Sequence, residues 1–531
     1  MVALVVALAL HGCGATGRTV SPDGGAGPQS CLGSQACDGL AVRDCRNGVL
    51  GTMIADCMEE GACSRGRCMT VECAAADRAR NSIEGCVFYT VEADNAASDT
   101  AAPTSFLVSN PGLEPATVKL EQLGAEGAWT SMAGQQATVA PAGAARLAIA
   151  RPPVVPSGVN PADGLRLVSD RPVTVAQIES DDTGESALSS GGTMLLPTHV
   201  LGSHYLVTAY PQVATTAAVS PVGAPDGAGR LLIVGTQPRT NVTLKPSASA
   251  PMLVTGMPLA ESYSFVLGDG DVFQAWTGAE LEDLTGTEIS SDQPIAVFSG
   301  NIVTTYGRSA PGIHSPDMAH EQIPPIASWS FEYVAASLPP QDGTCDTLLG
   351  QAGASIWRLL TGGDQVTFVD FSLPDGAGPV PSSMTLGPGQ AAEIVVPGDF
   401  FISASGPLLV TQGMDCEASL SLAISADQML NDLTFATLPN FDEMVAVARK
   451  QGEEVMLDGT SLPVSMFSPA GNGYEVARLR LPCTTSERVC PHRLQGKFGM
   501  TMRGMDVLAS YALTAPAWYG CHDSIDLTCV Q

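Results

Sequence analysis

Cysteine is the residue whose number and spacing point most clearly to chemistry in this chain. There are 15 cysteines, and eight of them fall between positions 31 and 86. These eight are Cys31, Cys37, Cys45, Cys57, Cys63, Cys68, Cys73 and Cys86. A segment this short cannot bury a large core, so covalent links would have to stabilise it. Zinc is the competing explanation, but the segment has no histidine and lacks the closely spaced cysteine pairs of zinc ribbons. The pattern therefore favours disulfides over a metal site.

Six further cysteines follow in the last third of the chain. They suggest three disulfides, namely Cys345–Cys416, Cys483–Cys490 and Cys521–Cys529. Pairing across repeats is the alternative. If Cys13 is set aside, the cysteines are even in number, which suits disulfides in an oxidising compartment.

The N-terminus predicts export and a lipid anchor. Residues 2–10 form an apolar run that is too short to span a bilayer but typical of a signal-peptide core. The run leads into Leu10-His11-Gly12-Cys13, which resembles the lipobox of bacterial lipoproteins. The resemblance implies that Cys13 is acylated. Two acyl chains are enough for stable anchoring, so we expect the chain to contact the membrane through this lipid anchor only. An ordinary cleaved signal peptide is the alternative.

Histidine and acidic residues offer no assembled catalytic centre. His320-Glu321 begins like a zinc-protease helix motif, but Pro324 and Pro325 would break the helix and no second histidine follows. We interpret His320 as a structural turn residue. Nucleophile-elbow and phosphate-loop motifs are absent from the sequence. We therefore predict no catalytic residue, no metal and no cofactor.

Two acidic loops are candidate cation sites. The sequence GDGD at 268–271 lacks the ligand spacing of a twelve-residue calcium loop, and a tight hairpin between flanking strands explains it better. Asp181, Asp182 and Glu185 form a second acidic loop, which we interpret as a solvated turn.

The charge of the chain excludes one class of partner. Its 54 acidic and 25 basic residues give a net charge of −29, which repels nucleic acid and anionic headgroups. At 531 residues the chain should form about three or four core-forming units. Its 56 glycines and 38 prolines suit many short strands joined by turns.

Three sequence elements recur in the same order. The first is a strand, a polar turn and a second strand, at 165–177, 286–300, 400–413 and 498–512. The second has the pattern of a hairpin, at 106–120, 231–245, 356–368 and 444–457. The third places a tyrosine eight positions after a proline, as Pro197 to Tyr205 and Pro325 to Tyr333.

The repeats predict an all-β fold of tandem β-sandwich-type units after a small disulfide-rich segment. A β-propeller-like ring is the alternative, although propeller blades usually have shorter repeats. The predicted divisions are a signal peptide with lipobox at 1–13, a flexible linker at 14–30, a cysteine-rich segment at 31–86, and β repeats at 87–190, 191–305, 306–425 and 426–531.

Several stretches of the chain resemble the N-terminal domain family of IgGFc-binding protein. They lie at 283–287, 294–298, 320–325, 457–459, 473–478, 492–496, 498–499 and 510–512. The resemblance covers roughly residues 85–519 and implies a non-catalytic extracellular binding domain. It does not identify the ligand.

We therefore predict a membrane-anchored extracellular binding or adhesion protein on the bacterial outer membrane. Its partner would be an extracellular protein or glycan, and not nucleic acid. A structural cell-envelope spacer without a specific ligand is the alternative. An enzyme is not expected, because the sequence nominates no nucleophile and base that could share a pocket.

Overall fold

Most of the described residues lie in β-strands, as predicted. A computed structural model describes residues 35–46, 49–79, 82–93, 103–124, 127–149, 156–179, 190–213, 224–247, 252–254, 256–259, 261–304, 317–338, 354–374, 381–413, 419–439, 441–484, 489–505 and 510–515. No helix in these ranges has the length and hydropathy needed to cross a membrane.

The cysteine-rich segment forms two small sheets and one helix. Its elements are β1 (Gln35–Asp38), β2 (Ala41–Arg46), β3 (Val49–Asp56), β4 (Ala62–Ser64), β5 (Arg67–Met69) and α1 (Val71–Ala79). The strand order is β1-β2-β3 in the larger sheet, and β4 pairs with β5. Three disulfides link cysteines within this part of the chain, which confirms the prediction of a disulfide-rich segment.

Four large sheets follow, and we number them in chain order. Sheet 1 has seven strands, β6 (Gly85–Thr90), β7 (Thr104–Ser109), β8 (Ala116–Leu123), β9 (Trp129–Val139), β10 (Ala144–Ile149), β12 (Leu165–Glu179) and β13 (Gly191–Met194). Sheet 2 has ten, β11 (Gly158–Asn160), β14 (Gly202–Leu206), β15 (Gly229–Gly235), β16 (Thr240–Lys245), β17 (Met252–Val254), β18 (Met257–Pro258), β19 (Tyr263–Leu267), β20 (Val272–Thr277), β21 (Glu288–Thr304) and β22 (Asp317–Gln322).

Sheets 3 and 4 have eight strands each. Sheet 3 has β23 (Ser330–Ala335), β24 (Ala354–Thr361), β25 (Thr367–Ser372), β26 (Ser383–Leu386), β27 (Ala391–Pro397), β28 (Phe400–Gly413), β29 (Leu420–Leu422) and β30 (Ile424–Ser425). Sheet 4 has β31 (Leu430–Thr437), β32 (Asp442–Lys450), β33 (Val455–Leu457), β34 (Thr460–Ser461), β35 (Phe467–Gly471), β36 (Tyr474–Arg480), β37 (Cys490–Met505) and β38 (Ser510–Ala515). Short 3₁₀ helices lie at Thr198–Val200, Ile326–Ser328 and Val464–Met466.

Each large sheet is organised by one long strand that pairs differently along its two halves. In sheet 1, β12 pairs with β8 through residues 165–169 and with β7 through residues 174–178. Strands β21, β28 and β37 repeat this arrangement with β16 and β15, with β25 and β24, and with β33 and β32. The long strand therefore passes from one layer of the sheet into the other, as strands do at the corners of β-sandwiches.

This pairing corrects the prediction that the second sequence element is a hairpin. Its two strands, such as β7 and β8, pair with opposite halves of the long strand and not with each other. An alternating pattern with a period of two shows that a strand has one buried face, but it does not reveal which strand lies beside it.

The first sequence element is a single continuous strand in sheets 1, 2 and 3, where two strands and a turn were predicted. Pro172, Pro294 and Pro407 lie between the halves that pair with different partners. In sheet 4 the long strand is β37, and Gly496 has a φ of 114° within it. The predicted fourth copy at 498–512 instead covers the end of β37 and the start of β38, which pair with each other.

The third sequence element braces the bend of the long strand. The Tyr205 hydroxyl donates to the carbonyl of Ile295 at 2.7 Å and accepts from the Gly202 N–H at 2.9 Å. Tyr333 donates in the same way to the carbonyl of Leu408 in sheet 3. Each carbonyl belongs to the residue directly after the proline in the long strand. The brace therefore satisfies backbone groups where the ladder changes partners.

The two layers of each sheet enclose a common core, which confirms the sandwich architecture. In sheet 3, Tyr333 and Val369 from one layer share a core with Trp357 and Val396 from the other. Burying such side chains is the main favourable term in folding, at about 25 cal/mol per Å² of apolar surface.

Shared cores also join the four sheets into a closed ring. Sheet 1 shares one core with sheets 2 and 4, which contribute Phe298 and Phe435. Sheets 2 and 3 share a core that includes Leu409. Sheets 3 and 4 meet where Phe401 stacks on Tyr474 with ring centroids 5.2 Å apart. Sheet 4 therefore packs on sheet 1, although the two are far apart in the sequence.

The brace at the bend leads to a stability prediction. Replacing Tyr205 with Phe leaves a buried carbonyl and a partly buried N–H without the hydroxyl, so we expect a loss of roughly 1–3 kcal/mol. The same replacement at half-buried Tyr263 on β19 should cost well under about 1 kcal/mol. Thermal or denaturant unfolding of both variants measures the difference. Equal losses at the two positions would show that the hydroxyl does not brace the bend.

Candidate functional site

The final strands of the four sheets, β13, β22, β29 and β38, meet in the middle of the ring. Asp317, the first residue of β22, accepts through one oxygen from the Ser190 N–H at 2.5 Å. Its other oxygen accepts from the N–H and hydroxyl of Ser510 at 2.6 and 2.8 Å. The Ser510 hydroxyl also lies 2.6 Å from that of Ser419. One buried carboxyl group thus connects sheets 1, 2 and 4. Ser510 extends the network to Ser419, the residue directly before β29 in sheet 3. We call these four residues the axial cluster.

A second buried carboxyl group, that of Glu321, lies four residues further along β22. Thr193 donates its hydroxyl to Glu321 at 2.5 Å and accepts from the Gln322 N–H at 2.9 Å. Burial raises the pKa of Glu321 to about 8, although the hydrogen bonds from Thr193 and from backbone groups oppose the shift. Glu321 is therefore largely protonated at neutral pH.

His320 lies within β22 and not in a turn, so the turn interpretation is wrong. Its ring stacks on Phe298 with centroids 5.5 Å apart, and Nδ1 lies 3.2 Å from the Arg230 guanidinium. Burial, and then the charge of Arg230, hold the pKa of His320 well below its usual range. A neutral and fully enclosed imidazole packs like an aromatic side chain, which is its role here. Pro324 and Pro325, which argue against a helix, are compatible with the strand that precedes them, because residues before a proline favour extended backbone.

The acidic loop at 268–271 is not the hairpin that was predicted. The strands on either side, β19 and β20, pair with β16 and β15 and lie in opposite layers of sheet 2. Asp269 accepts from the hydroxyl of Tyr89 and, at 2.9 Å, from the indole N–H of Trp129, so the loop attaches sheet 2 to sheet 1. No group of three or more His, Cys, Asp or Glu that could hold a metal occurs in the described ranges.

Arg67 connects the cysteine-rich segment to both of these sheets. It donates to the Tyr89 hydroxyl of sheet 1 and, at 2.8 Å, to the carbonyl of Thr236 in sheet 2. Its guanidinium also lies 3.8 Å from Asp269. Sequence reasoning missed this junction because Arg67 and Thr236 are 169 residues apart, and no local pattern marks either of them.

Helix α1 supports the same junction. The disulfide Cys73–Cys86 ties the helix to β6. Asp77 of the helix lies 3.4 Å from Nδ1 of His199, and both residues are buried. The cysteine-rich segment is therefore packed against the ring through its helix as well as through Arg67.

The structure places part of the predicted cysteine set. Disulfides between described residues are Cys37–Cys63, Cys57–Cys68, Cys73–Cys86 and Cys483–Cys490, and Cys45 is also disulfide-bonded. The other candidates, Cys13, Cys31, Cys345, Cys416, Cys521 and Cys529, lie outside the described residues, as do Asp181, Asp182 and Glu185.

The family model described as IgGFc binding protein matches residues 191–504 of the sequence. That range begins at β13 and ends within β37, so it covers the greater part of the ring, including the buried carboxyl groups of Asp317 and Glu321. The chain belongs to the IgGFc-binding protein family. Membership agrees with the resemblance seen in the sequence motifs.

Other comparisons add little to the family assignment. The major pilin of Streptococcus pyogenes is similar over 59% of this chain and 98% of its own, at 9% identity and a TM-score of 0.14. A score this low supports no conclusion about fold or function. Among curated proteins, none matches the sequence.

The axial cluster leads to a test of ring assembly. In Asp317→Asn, an amide N–H replaces one oxygen and faces a backbone N–H of Ser190 or Ser510. We expect a loss of about 2–3 kcal/mol, since a buried donor is left without an acceptor. Asp292→Asn is the control, because Asp292 is an exposed carboxylate that also accepts from a backbone N–H, that of Asn241 at 2.8 Å. Denaturant unfolding should show a loss below about 1 kcal/mol for the control.

The raised pKa values predict a pH dependence of stability. Glu321 and Glu443 both have pKa values raised to about 8 by burial, against about 4.3 in the unfolded chain. Between those values the folded state binds more protons than the unfolded state. Each group therefore lowers stability as pH rises through this window, with a slope of up to about 1.4 kcal/mol per pH unit.

Glu321→Gln removes this contribution while keeping the shape of the neutral side chain. We expect the stability of the variant relative to the parent protein to increase steadily from pH 5 to pH 8, as measured by urea unfolding at each pH. A difference that stays constant over this range would contradict the assignment of a protonated Glu321.

Proposed function

We propose that the chain is a membrane-anchored extracellular binding protein that recognises an extracellular protein or glycan. The observation that carries the proposal is the family match over residues 191–504, because the family is named for binding to immunoglobulin Fc. The ring adds support. Its buried carboxyl and imidazole groups are held by internal hydrogen bonds and stacking, so they are not available to act on a substrate.

The proposed organisation extends the prediction from sequence. Acylated Cys13 would tie the chain to the outer membrane, residues 14–30 would form the linker, and the cysteine-rich segment would join the linker to four repeats at 87–190, 191–305, 306–425 and 426–531. The bent strands β12, β21, β28 and β37 support four repeats, because one belongs to each of them. Disulfides support export to an oxidising compartment.

Phe368 is our candidate for a binding contact. Its side chain on β25 is 60% exposed, and no other Phe, Tyr or Trp among the described residues is exposed. Aromatic side chains dominate the energies of many protein interfaces. Thr385, its cross-strand partner on β26, and Ser405, whose hydroxyl accepts from the Phe368 N–H at 2.9 Å, supply hydroxyl groups that suit a polar rim.

A structural spacer is the second candidate function, and one observation favours it. Exposed aromatics on several repeats would indicate a repeated binding surface, whereas the described residues expose one, in sheet 3. A spacer would need the rigid ring and the acidic surface but no specific ligand.

A binding assay separates the two candidates. The purified chain is immobilised and exposed to a panel of extracellular proteins and glycans that includes the immunoglobulin G Fc fragment. We expect saturable binding to at least one member, and at least roughly tenfold weaker binding after Phe368→Ser. Leu113→Ser, at a side chain that is 86% exposed in the loop between β7 and β8, is the control and should bind as the parent does. If a correctly folded chain binds no member, the spacer is favoured.

A further inference from the structure

We propose that Thr90 and Gln177 become joined by an ester bond that cross-links the two layers of sheet 1. The Thr90 hydroxyl donates to the amide oxygen of Gln177, and both side chains are completely buried. Thr90 pairs with Leu165 in the first half of β12, whereas Gln177 lies in the second half and pairs with Phe106 of β7. The hydroxyl and the amide therefore meet from opposite layers, although they are 87 residues apart in the sequence.

A buried carboxyl group lies at the nitrogen that would leave. Nε2 of Gln177 donates to one oxygen of Glu179 at 2.5 Å and to the Val91 carbonyl at 2.9 Å. The other oxygen of Glu179 accepts from the Thr104 hydroxyl at 2.5 Å. Burial raises the pKa of Glu179, although the hydrogen bonds that it accepts oppose the shift. Glu179 is therefore placed to exchange a proton with the amide nitrogen.

The other long strands show that the bend alone does not require these groups. Ser299 shares with Gln177 the position five residues after the proline of its long strand. In sheet 2 the Ser299 hydroxyl donates to the Thr208 carbonyl, so a serine is enough for this contact with the backbone. Gln412 has the same position in sheet 3, where its amide donates to the Ser355 hydroxyl at 2.8 Å. The hydroxyl, amide and carboxyl group in mutual contact are therefore a special feature of sheet 1.

The reaction needs no reagent from outside the chain. Oγ of Thr90 forms a bond to Cδ of Gln177, the bond between Cδ and Nε2 breaks, and the nitrogen leaves as ammonia. Glu179 gives a proton to the leaving nitrogen and regains the proton that the hydroxyl releases, so atoms and charges balance. The last torsion of a glutamine side chain is broad, so the carbonyl carbon can turn towards the hydroxyl.

Burial favours both the formation and the survival of the ester. Holding the hydroxyl against the amide replaces a bimolecular encounter with a step inside one folded chain, which accelerates the reaction. Thr90 and Gln177 have no exposed surface, and Glu179 is 2% exposed, so water that would hydrolyse the product is excluded. The ester would fix β6, the first strand of the ring, to the far half of β12.

Mass spectrometry of the folded, exported full-length chain tests the proposal. After reduction and protease digestion, we expect a pair of peptides joined between Thr90 and Gln177. Its mass should be about 17 Da below the sum of the two peptides, because ammonia is lost. Hydroxylamine should separate the pair, since it cleaves esters and leaves amides intact. The peptide that contains Gln412 should keep its amide and is the internal control.

Variants identify the groups that react. Thr90→Val removes the attacking hydroxyl and should abolish the linked pair, whereas Thr90→Ser should retain it. Glu179→Gln should lower the yield of the linked pair at least about tenfold, because the proton carrier is lost. Thr240→Val, at a completely buried threonine of sheet 2, is the matched control and should leave the link unchanged. An intact Gln177 amide in the folded parent chain would overturn the proposal, as would a linked pair that persists in Thr90→Val.

Discussion

The hydrogen bonds of the Asp317 carboxyl group are the contact on which closure of the ring depends. Its two oxygens receive donors from sheets 1 and 4, although the residue itself belongs to sheet 2. A buried carboxyl group without such donors would carry a penalty of several kcal/mol. The sheets that flank it must therefore approach together, and the position of β38, the last of the described strands, depends on contact with sheets 1 and 2.

The same logic of satisfied backbone groups explains the bent strands. A strand that changes partners halfway leaves N–H and C=O groups at the bend, and Tyr205 and Tyr333 supply a hydroxyl at that point. Sheet 1 has Phe88 at the matching position on β6, and sheet 4 has Leu433 on β31. These two side chains fill the space without the hydrogen bond, which shows that packing at the corner is common to all four sheets and the hydroxyl is not.

The centre of the ring is buried, so contacts with other molecules are confined to its outer surfaces. The titratable groups at the centre have structural roles. Burial keeps Glu321 protonated, and burial together with the charge of Arg230 keeps His320 neutral. The surfaces left for recognition are the outer faces of the sheets and the cysteine-rich segment, which Arg67 and the Cys73–Cys86 disulfide hold against sheets 1 and 2. That division between a sealed centre and an accessible periphery suits a binding family better than a catalytic one.

By itself, the sequence determined the all-β class, the presence of repeats, the disulfide-rich start and the family, because each leaves a local pattern of residue type and spacing. The partners of the strands were decided only by the tertiary structure. The alternation in 106–120 is the same whether its strands pair with each other or with β12, and the long bent strand selects the second. Likewise, the sequence indicates only a turn at Asp269. Its hydrogen bonds with Tyr89 and Trp129 are visible only in the tertiary structure, because contacts between distant residues leave no periodic pattern in the sequence.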